Sequence, residues 1–329
     1  MFLFDKTNIG KLNVKNHFIR AATYEGEQSA DIDGCPTERL SDIYEQLAKG
    51  DVGTIITSFA YITNYEQPRK NQLGIYSNEL AWKYRKIISK VHTYGTKIIL
   101  QIVHGSSWGQ GYPEIATILG PSAIKHPISG IIPKAMSFQE ITNVTLAFAK
   151  AAQRAKLVGF DGVEIHCAHG YLLSQFISPL FNRRTDIYGG SVQNRFRFVK
   201  EVYAAIRKEV GVNFPVWIKM DSSEDEPGGL SVDDFIYMSQ ELARDGIDAV
   251  EVSGNSWRFK KADERLYYKE AAERLANVVN IPVILTGGIR SMRDIKQVCY
   301  HSKVEFFGLA RPFISNPCYV SVLKKQVED

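Results

Sequence analysis

Eight short apolar runs, separated by stretches with helical patterning, predict an α/β chain that closes as a (β/α)8 barrel. No Gly/Ser/Pro-rich linker and no internal repeat divides the 329 residues, so residues 1–329 are expected to form one barrel domain. A third observation is the punctuation after the last two runs. Gly287-Gly288 follows the seventh and Ala310-Arg311 the eighth, where such barrels commonly bind a phosphate with glycine N–H groups.

The elements follow in order. Met1 to Lys15 holds a turn at Asn8-Ile9-Gly10 between short extended pieces, which predicts a hairpin covering the barrel floor. Phe18 to Ala22 is the first strand and runs into Thr23-Tyr24-Glu25-Gly26. Thr37 N-caps a helix reaching Lys49, with Leu40, Ile43, Tyr44 and Leu47 on one face. Gly53 to Thr57 is the second strand, and a helix from about Asn78 to Tyr94 precedes the third, Lys97 to Val103.

That third run is broken once, by Gln101. A buried amide without a partner costs about 1–3 kcal/mol, so a polar ligand is its natural companion. Ser137 to Glu140 reads as a capping box opening a helix whose Ile141, Phe148, Ala152 and Ala155 share a face. Val163 to Ile165 is the fourth strand. Ser191 then starts a helix carrying the stripe Phe196, Val199, Tyr203, Ile206 and Val210. Pro215 to Lys219 is the fifth strand, Ser231 opens the next helix, and Asp248 to Val252 is the sixth strand. Ile281 to Thr286 and Val304 to Leu309 complete the count.

An apolar content of 44% suffices for a large core, and no run is long enough to span a bilayer. The N-terminus MFLFDKTNIG lacks the apolar centre of a signal peptide, which points to the cytoplasm. A net charge of +4 with interspersed signs offers no stripe for nucleic acid, and a small-molecule substrate is the expected partner. A homo-oligomer stays open. Cys35, Cys167, Cys299 and Cys318 have no C-x-x-C spacing, which argues against a disulfide framework, a zinc knuckle or an iron-sulfur cluster.

The chemistry concentrates between Gly159 and Arg195. The fourth strand delivers His166 at its tip, and His169 and Tyr171 follow in the turn. Histidines at this spacing can ligate a metal, pair structurally, or donate hydrogen bonds to an anion or a polarised oxygen. A metal needs a third ligand, and Cys167 alone offers itself nearby, so the donor reading is preferred.

The run H-x-x-H-G-Y-L-L-x-Q-F, then N-x-R-T-D-x-Y-G-G-S and N-R, resembles the signature of the Old Yellow Enzyme family of flavin-dependent ene-reductases. The resemblance extends from Asn16 to about Pro317. It implies a short, single-barrel form that holds FMN at the C-terminal strand ends and takes hydride from NADH or NADPH. By that resemblance the backbone of Ala22 and Thr23 contacts the flavin, small residues making a thin wall there. Gln101 bonds the ring's polar edge, and Lys219 stands where reduced flavin collects negative charge. Gly287, Gly288, Ala310 and Arg311 hold the phosphate.

The implied reaction is ping-pong reduction of an activated C=C bond. His166 and His169 bind the carbonyl oxygen, Tyr171 protonates the α-carbon, and Tyr24 borders the substrate. Two departures stand out. The family's H-x-G-R is half kept as His104-Gly105-Ser106-Ser107, and RAATYEG (Arg20 to Gly26) places Tyr24 where relatives carry a redox-tuning Cys. An NADH oxidase or a flavin-dependent dehydrogenase is the alternative, and a non-enzymatic flavin-binding barrel a more distant one, since a binding module needs no proton donor.

Overall fold

The computed structural model describes residues 2–109, 116–254 and 264–328. Eight parallel strands run β1 (Phe18–Arg20), β2 (Thr54–Ile56), β3 (Lys97–Val103), β4 (Gly162–Cys167), β5 (Val216–Asp221), β6 (Ala249–Ser253), β7 (Val283–Thr286) and β8 (Phe306–Leu309). Each pairs in parallel with the next, and β8 returns to β1 with Leu309 opposite Arg20, so the sheet is a closed barrel as the sequence predicts. Between and after the strands lie α1 (Glu38–Lys49), α2 (Arg85–His92), α3 (Phe138–Val158), α4 (Val192–Val210), α5 (Val232–Asp245), α6 (Lys269–Ala276), α7 (Met292–His301) and α8 (Tyr319–Glu328). No helix among the described residues is long and apolar enough to cross a membrane.

The helix starts are where the side chains require them. Thr37, Ser137, Ser191 and Ser231 each accept a backbone N–H in the first turn, and Ser137 with Glu140 completes a capping box. The stripe from Phe196 to Val210 is buried against the barrel. One helix differs from expectation. The stretch expected from Asn78 to Tyr94 is two pieces, Asn78–Trp82 and α2. Lys83 and Tyr84 bond three residues back to Leu80 and Ala81, and the buried Tyr84 hydroxyl donates to the Gly74 carbonyl at 2.8 Å, which tightens the chain there.

The barrel interior is layered by the two-residue period of its strands. The lower layer is apolar: Ile19, Ile56, Ile99, Trp217, Ala249, Ile284 and Phe306 cluster with Ile9, Leu12 and Val14 of the N-terminal hairpin (Thr7–Ile9 with Leu12–Val14), which covers the floor. The turn falls one step later than expected, on Gly10 at φ 57°, where a Cβ would lie 2.8 Å from the Asp248 carbonyl oxygen. Two residues further along, the strands turn polar. Ile99 is followed by Gln101, Trp217 by Lys219, Ala249 by Glu251 and Ile284 by Thr286, while Glu164 sits opposite Gln101 in register. Above this layer the strands end and the site begins.

Candidate active site

The tip of β4 is rigid for identifiable reasons. All of Gly162–Cys167 is buried, and the chain then turns through His169 (φ 60°) and Gly170 (φ 77°). Histidine in that conformation needs support, and the buried Asp221 at the end of β5 provides it. The His169 N–H donates to both Asp221 oxygens at 3.2 and 3.1 Å, and the Ser174 hydroxyl donates to the same carboxylate at 2.6 Å. Tyr171 then leads into the short helix Leu172–Ile177.

This turn brings the three predicted rings together. The His166 and His169 centroids are 5.2 Å apart, edge to face, and Tyr171 lies 4.9 Å from His166. Burial drives the His166 imidazole well below its usual range, with His169 and then Lys219 adding to the effect. Burial, then Lys219, takes His169 down to about 3. Both rings are therefore neutral at physiological pH, so each carries one N–H. The Ala168 N–H donates to His166 Nδ1 at 3.3 Å, which places that proton on Nε2. His169 Nε2 lies 2.7 Å from the Ser253 hydroxyl. Burial raises the Tyr171 phenol, against the lowering effect of Arg69, so it keeps its proton.

The polar layer supports this group from below. Gln101 Nε2 donates to Glu164 Oε2 at 2.6 Å, leaving its own Oε1 buried and without a partner among the described residues. Lys219 Nζ donates to Glu251 Oε1 at 2.9 Å, and Thr286 Oγ1 donates to the same oxygen at 2.6 Å. Burial and then the charge on Glu251 raise the Glu164 carboxyl. Burial also pushes Glu251 upward, but Lys219, together with hydrogen bonds from Glu164 and Thr286, outweighs it and holds Glu251 low. One carboxylic acid, one carboxylate and one ammonium make the layer neutral overall. The bond to Gln101 is what the sequence left open: part of that amide is satisfied by Glu164 and part faces the cavity.

A cavity of about 540 Å³ opens over the layer. Ala22, Thr23, Tyr24, Gln101, His166, His169, Tyr171, Lys219, Gly287, Ala310 and Arg311 all line it. Gly288 lies outside that lining. It borders an adjoining space of about 490 Å³ that shares Thr286, Gly287, Ala310 and Arg311 with the first. Gly287 and Gly288 have φ of 95° and 74°, backbone that L side chains rarely adopt. The Arg311 guanidinium hydrogen-bonds the Tyr267 hydroxyl and lies 5.8 Å from that ring's centroid. Tyr24 stacks on Phe59 at 5.7 Å and donates its hydroxyl to the Lys70 carbonyl.

Several contributors went unforeseen. Glu164 and Glu251 each interrupt an apolar strand as Gln101 does, so the same reasoning would have found them. Phe59, Arg69 and Trp108 come from segments between strands, where periodicity carries no signal, and Ser253 is the last residue of β6. In the half-kept His104-Gly105-Ser106-Ser107 segment, Ser106 (φ 53°) donates its hydroxyl to the Leu119 carbonyl and lies 2.8 Å from Gln175 Oε1, a structural use.

Known proteins resemble this chain in sequence and fold. The profile of the NADH:flavin oxidoreductase / NADH oxidase family matches residues 2–329. The chain is 32% identical over 328 residues to an NADH oxidase of Thermoanaerobacter brockii, covering 96% of this chain and 49% of the relative. It thus spans about half of that protein's length. It is 33% identical over 291 residues to an NADPH dehydrogenase of Geobacillus sp. strain WCH70, covering 86% and 82%. Among solved structures, morphinone reductase in complex with tetrahydroNAD matches with a TM-score of 0.82 at 26% identity, over 98% of this chain and 90% of that one. With a closed barrel, a histidine pair at the tip of β4 and a profile match along nearly its whole length, the chain belongs to the NADH:flavin oxidoreductase / NADH oxidase family.

Proposed function

We propose that this protein, as an FMN oxidoreductase of its family, reduces C=C bonds conjugated to a carbonyl group, using NADH or NADPH. The observation that carries the reading is the convergence of two neutral imidazoles and one protonated phenol at the mouth of a single cavity. The residues present suit FMN. Gln101 Oε1 is a buried acceptor in want of a donor such as a ring N–H, and Lys219 supplies positive charge under the same cavity. Gly287, Gly288, Ala310 and Arg311 would hold the phosphate in the adjoining space. Bound FMN supplies the acceptance and donation of hydride that no side chain can perform.

The protein's residues do the rest. His166, with its proton on Nε2, and His169 donate to the substrate oxygen, where negative charge develops as hydride reaches the β-carbon; losing one such donor costs about 3 kcal/mol. Tyr171 keeps its proton until the α-carbon needs it, and Arg69, 3.3 Å from the phenol oxygen through Nε, steadies the phenolate left behind.

The test separates binding from protonation. Purified protein should be yellow and release FMN, be reduced by a nicotinamide under anaerobic conditions, and be reoxidised by cyclohexenone faster than by air. His166→Ala or His169→Ala should weaken phenolate binding, read from the long-wavelength charge-transfer band. Tyr171→Phe should leave that band in place and slow enone reoxidation by about 100-fold, with reduction by nicotinamide unaltered. Rapid reoxidation by oxygen with no response to the enone would turn the assignment towards an oxidase.

A further inference from the structure

Two carboxyls and one ammonium lie in the polar layer beneath the cavity, and their connections decide what charge the cavity sees. Glu164 comes from β4 and Glu251 from β6, with Lys219 on β5 between them and opposite Glu251 in register. Both acids are fully buried, and Lys219 is 3% exposed. A line of hydrogen bonds crosses the barrel: Gln101 Nε2 donates to Glu164, Glu164 donates to Glu251, and Lys219 Nζ and Thr286 Oγ1 both donate to Glu251 Oε1. Gly308 on β8 leaves room for the far end of this line, because a Cβ there would collide with Thr286 Oγ1 and lie 3.2 Å from Glu251 Oε1.

Two buried carboxyls in hydrogen-bond contact cannot both ionise beside one cation without leaving a negative charge uncompensated, so they hold one proton between them. Burial and the Glu251 charge put that proton on Glu164, while Lys219 keeps Glu251 ionised. Lys219 lines the cavity, then, as half of an ion pair and not as a free cation. The potential of a closely spaced pair falls off faster than that of a lone charge. This matters beneath a flavin, whose ring gains negative charge on reduction: a free cation would favour the reduced form, and a neutralised one favours it much less.

We propose that Glu164 and Glu251 act as one unit, holding a single negative charge against Lys219 and so keeping the reduction potential of bound FMN low, with either acid able to carry that charge when the other cannot. Neither acid lines the cavity, so both are positioning residues that act through Lys219. A low potential makes the reduced cofactor the stronger hydride donor. The proposal rests on FMN lying over Lys219, and not on which bond is reduced.

The test reads the potential of the FMN-loaded protein, by electrochemical reduction against a reference dye with no substrate present. Glu164→Gln should change it little, because Glu251 keeps its charge. Glu251→Gln should also change it little, because Glu164 then gives up its proton beside Lys219. With both substitutions, reduced FMN should bind about 10- to 100-fold more tightly relative to oxidised FMN, a rise of about 30 to 60 mV for a two-electron couple. Adding Lys219→Met to the double variant should return the ratio towards wild type, since neither charge remains; a packing defect would not be repaired by a third substitution. Infrared difference spectra give a reading that needs no double variant. Subtracting Glu251→Gln from wild type should show the loss of a protonated carboxylic acid, although the residue replaced is the ionised one. A double variant that keeps the wild-type potential would overturn the proposal, as would a Glu251→Gln variant that shifts as far as the double or retains the full acid band. Because no substrate is present, indifference to enones would sink the C=C reading and leave this result standing.

Discussion

At the residue scale, Glu66 shows how burial sets charge around this cavity. Burial pushes its carboxyl up to about 8, against the lowering effect of hydrogen bonds from the Gly105 and Ile62 N–H groups, and burial takes the neighbouring His104 down to about 3. Their 3.4 Å contact therefore joins two neutral groups, although its geometry alone would suggest an ion pair. A carboxyl raised in the folded state binds a proton that the unfolded chain releases near its ordinary pKa. Its stabilisation is complete below about 4.5 and is lost as pH rises through about 8. Urea denaturation between pH 5 and 8 should show stability falling with pH, with up to about 1.4 kcal/mol per unit from this group. Glu66→Gln, which keeps an acceptor for Gly105 and cannot ionise, should flatten that slope; an identical slope in both proteins would remove Glu66 as its source.

Much of the site was legible at this scale wherever a residue contradicted its surroundings. Gln101 inside an apolar strand, His166 at a strand tip and Lys219 after Val216 to Ile218 all announced a polar demand. Glu164 and Glu251 announced the same demand and were passed over. Arg69 could not be read, because what makes it informative is its place beside Tyr171 and Trp108 in space, and sequence order does not encode that.

At the element scale, Asp248 joins three parts of the fold. Its Oδ2 accepts the Val216 N–H at 2.9 Å and Arg207 at 2.6 Å, and Lys11 of the floor hairpin lies 3.1 Å from Oδ1. At 5% exposure this is a buried junction between β5, α4 and the hairpin. Asp248→Ala should destabilise the protein by about 3 kcal/mol in urea denaturation, because it removes the counter-ion of Arg207 and the acceptor of the Val216 N–H. A loss below about 1 kcal/mol would mean that solvent replaces the carboxylate readily. Strands and caps were readable here because alternation, Thr37, Ser137, Ser191 and Ser231 act locally. The break between Trp82 and Arg85 was not, since it is fixed by a hydroxyl reaching Gly74, ten residues away.

At the scale of the whole molecule, the two stacked layers inside the barrel divide it into halves of different character. The lower half is closed by apolar side chains and the hairpin, with the Trp217 indole N–H the buried polar group among them. In the upper half, Gln101 Oε1 is buried with no hydrogen-bond partner among the described residues. A ligand lying on that layer can satisfy part of it, so cofactor binding and local folding are linked there, worth about 2.7 kcal/mol when the ligand is a hundredfold above its Kd. Amide hydrogen exchange should register the division as a gradient along the barrel axis. With FMN removed, amides at the level of Ile99, Trp217 and Ile284 should remain slow, while those from Gln101, Lys219 and Glu251 upward should quicken, and adding FMN back should slow only the second set. The barrel would then open from its mouth downward, with the floor as the last part to exchange.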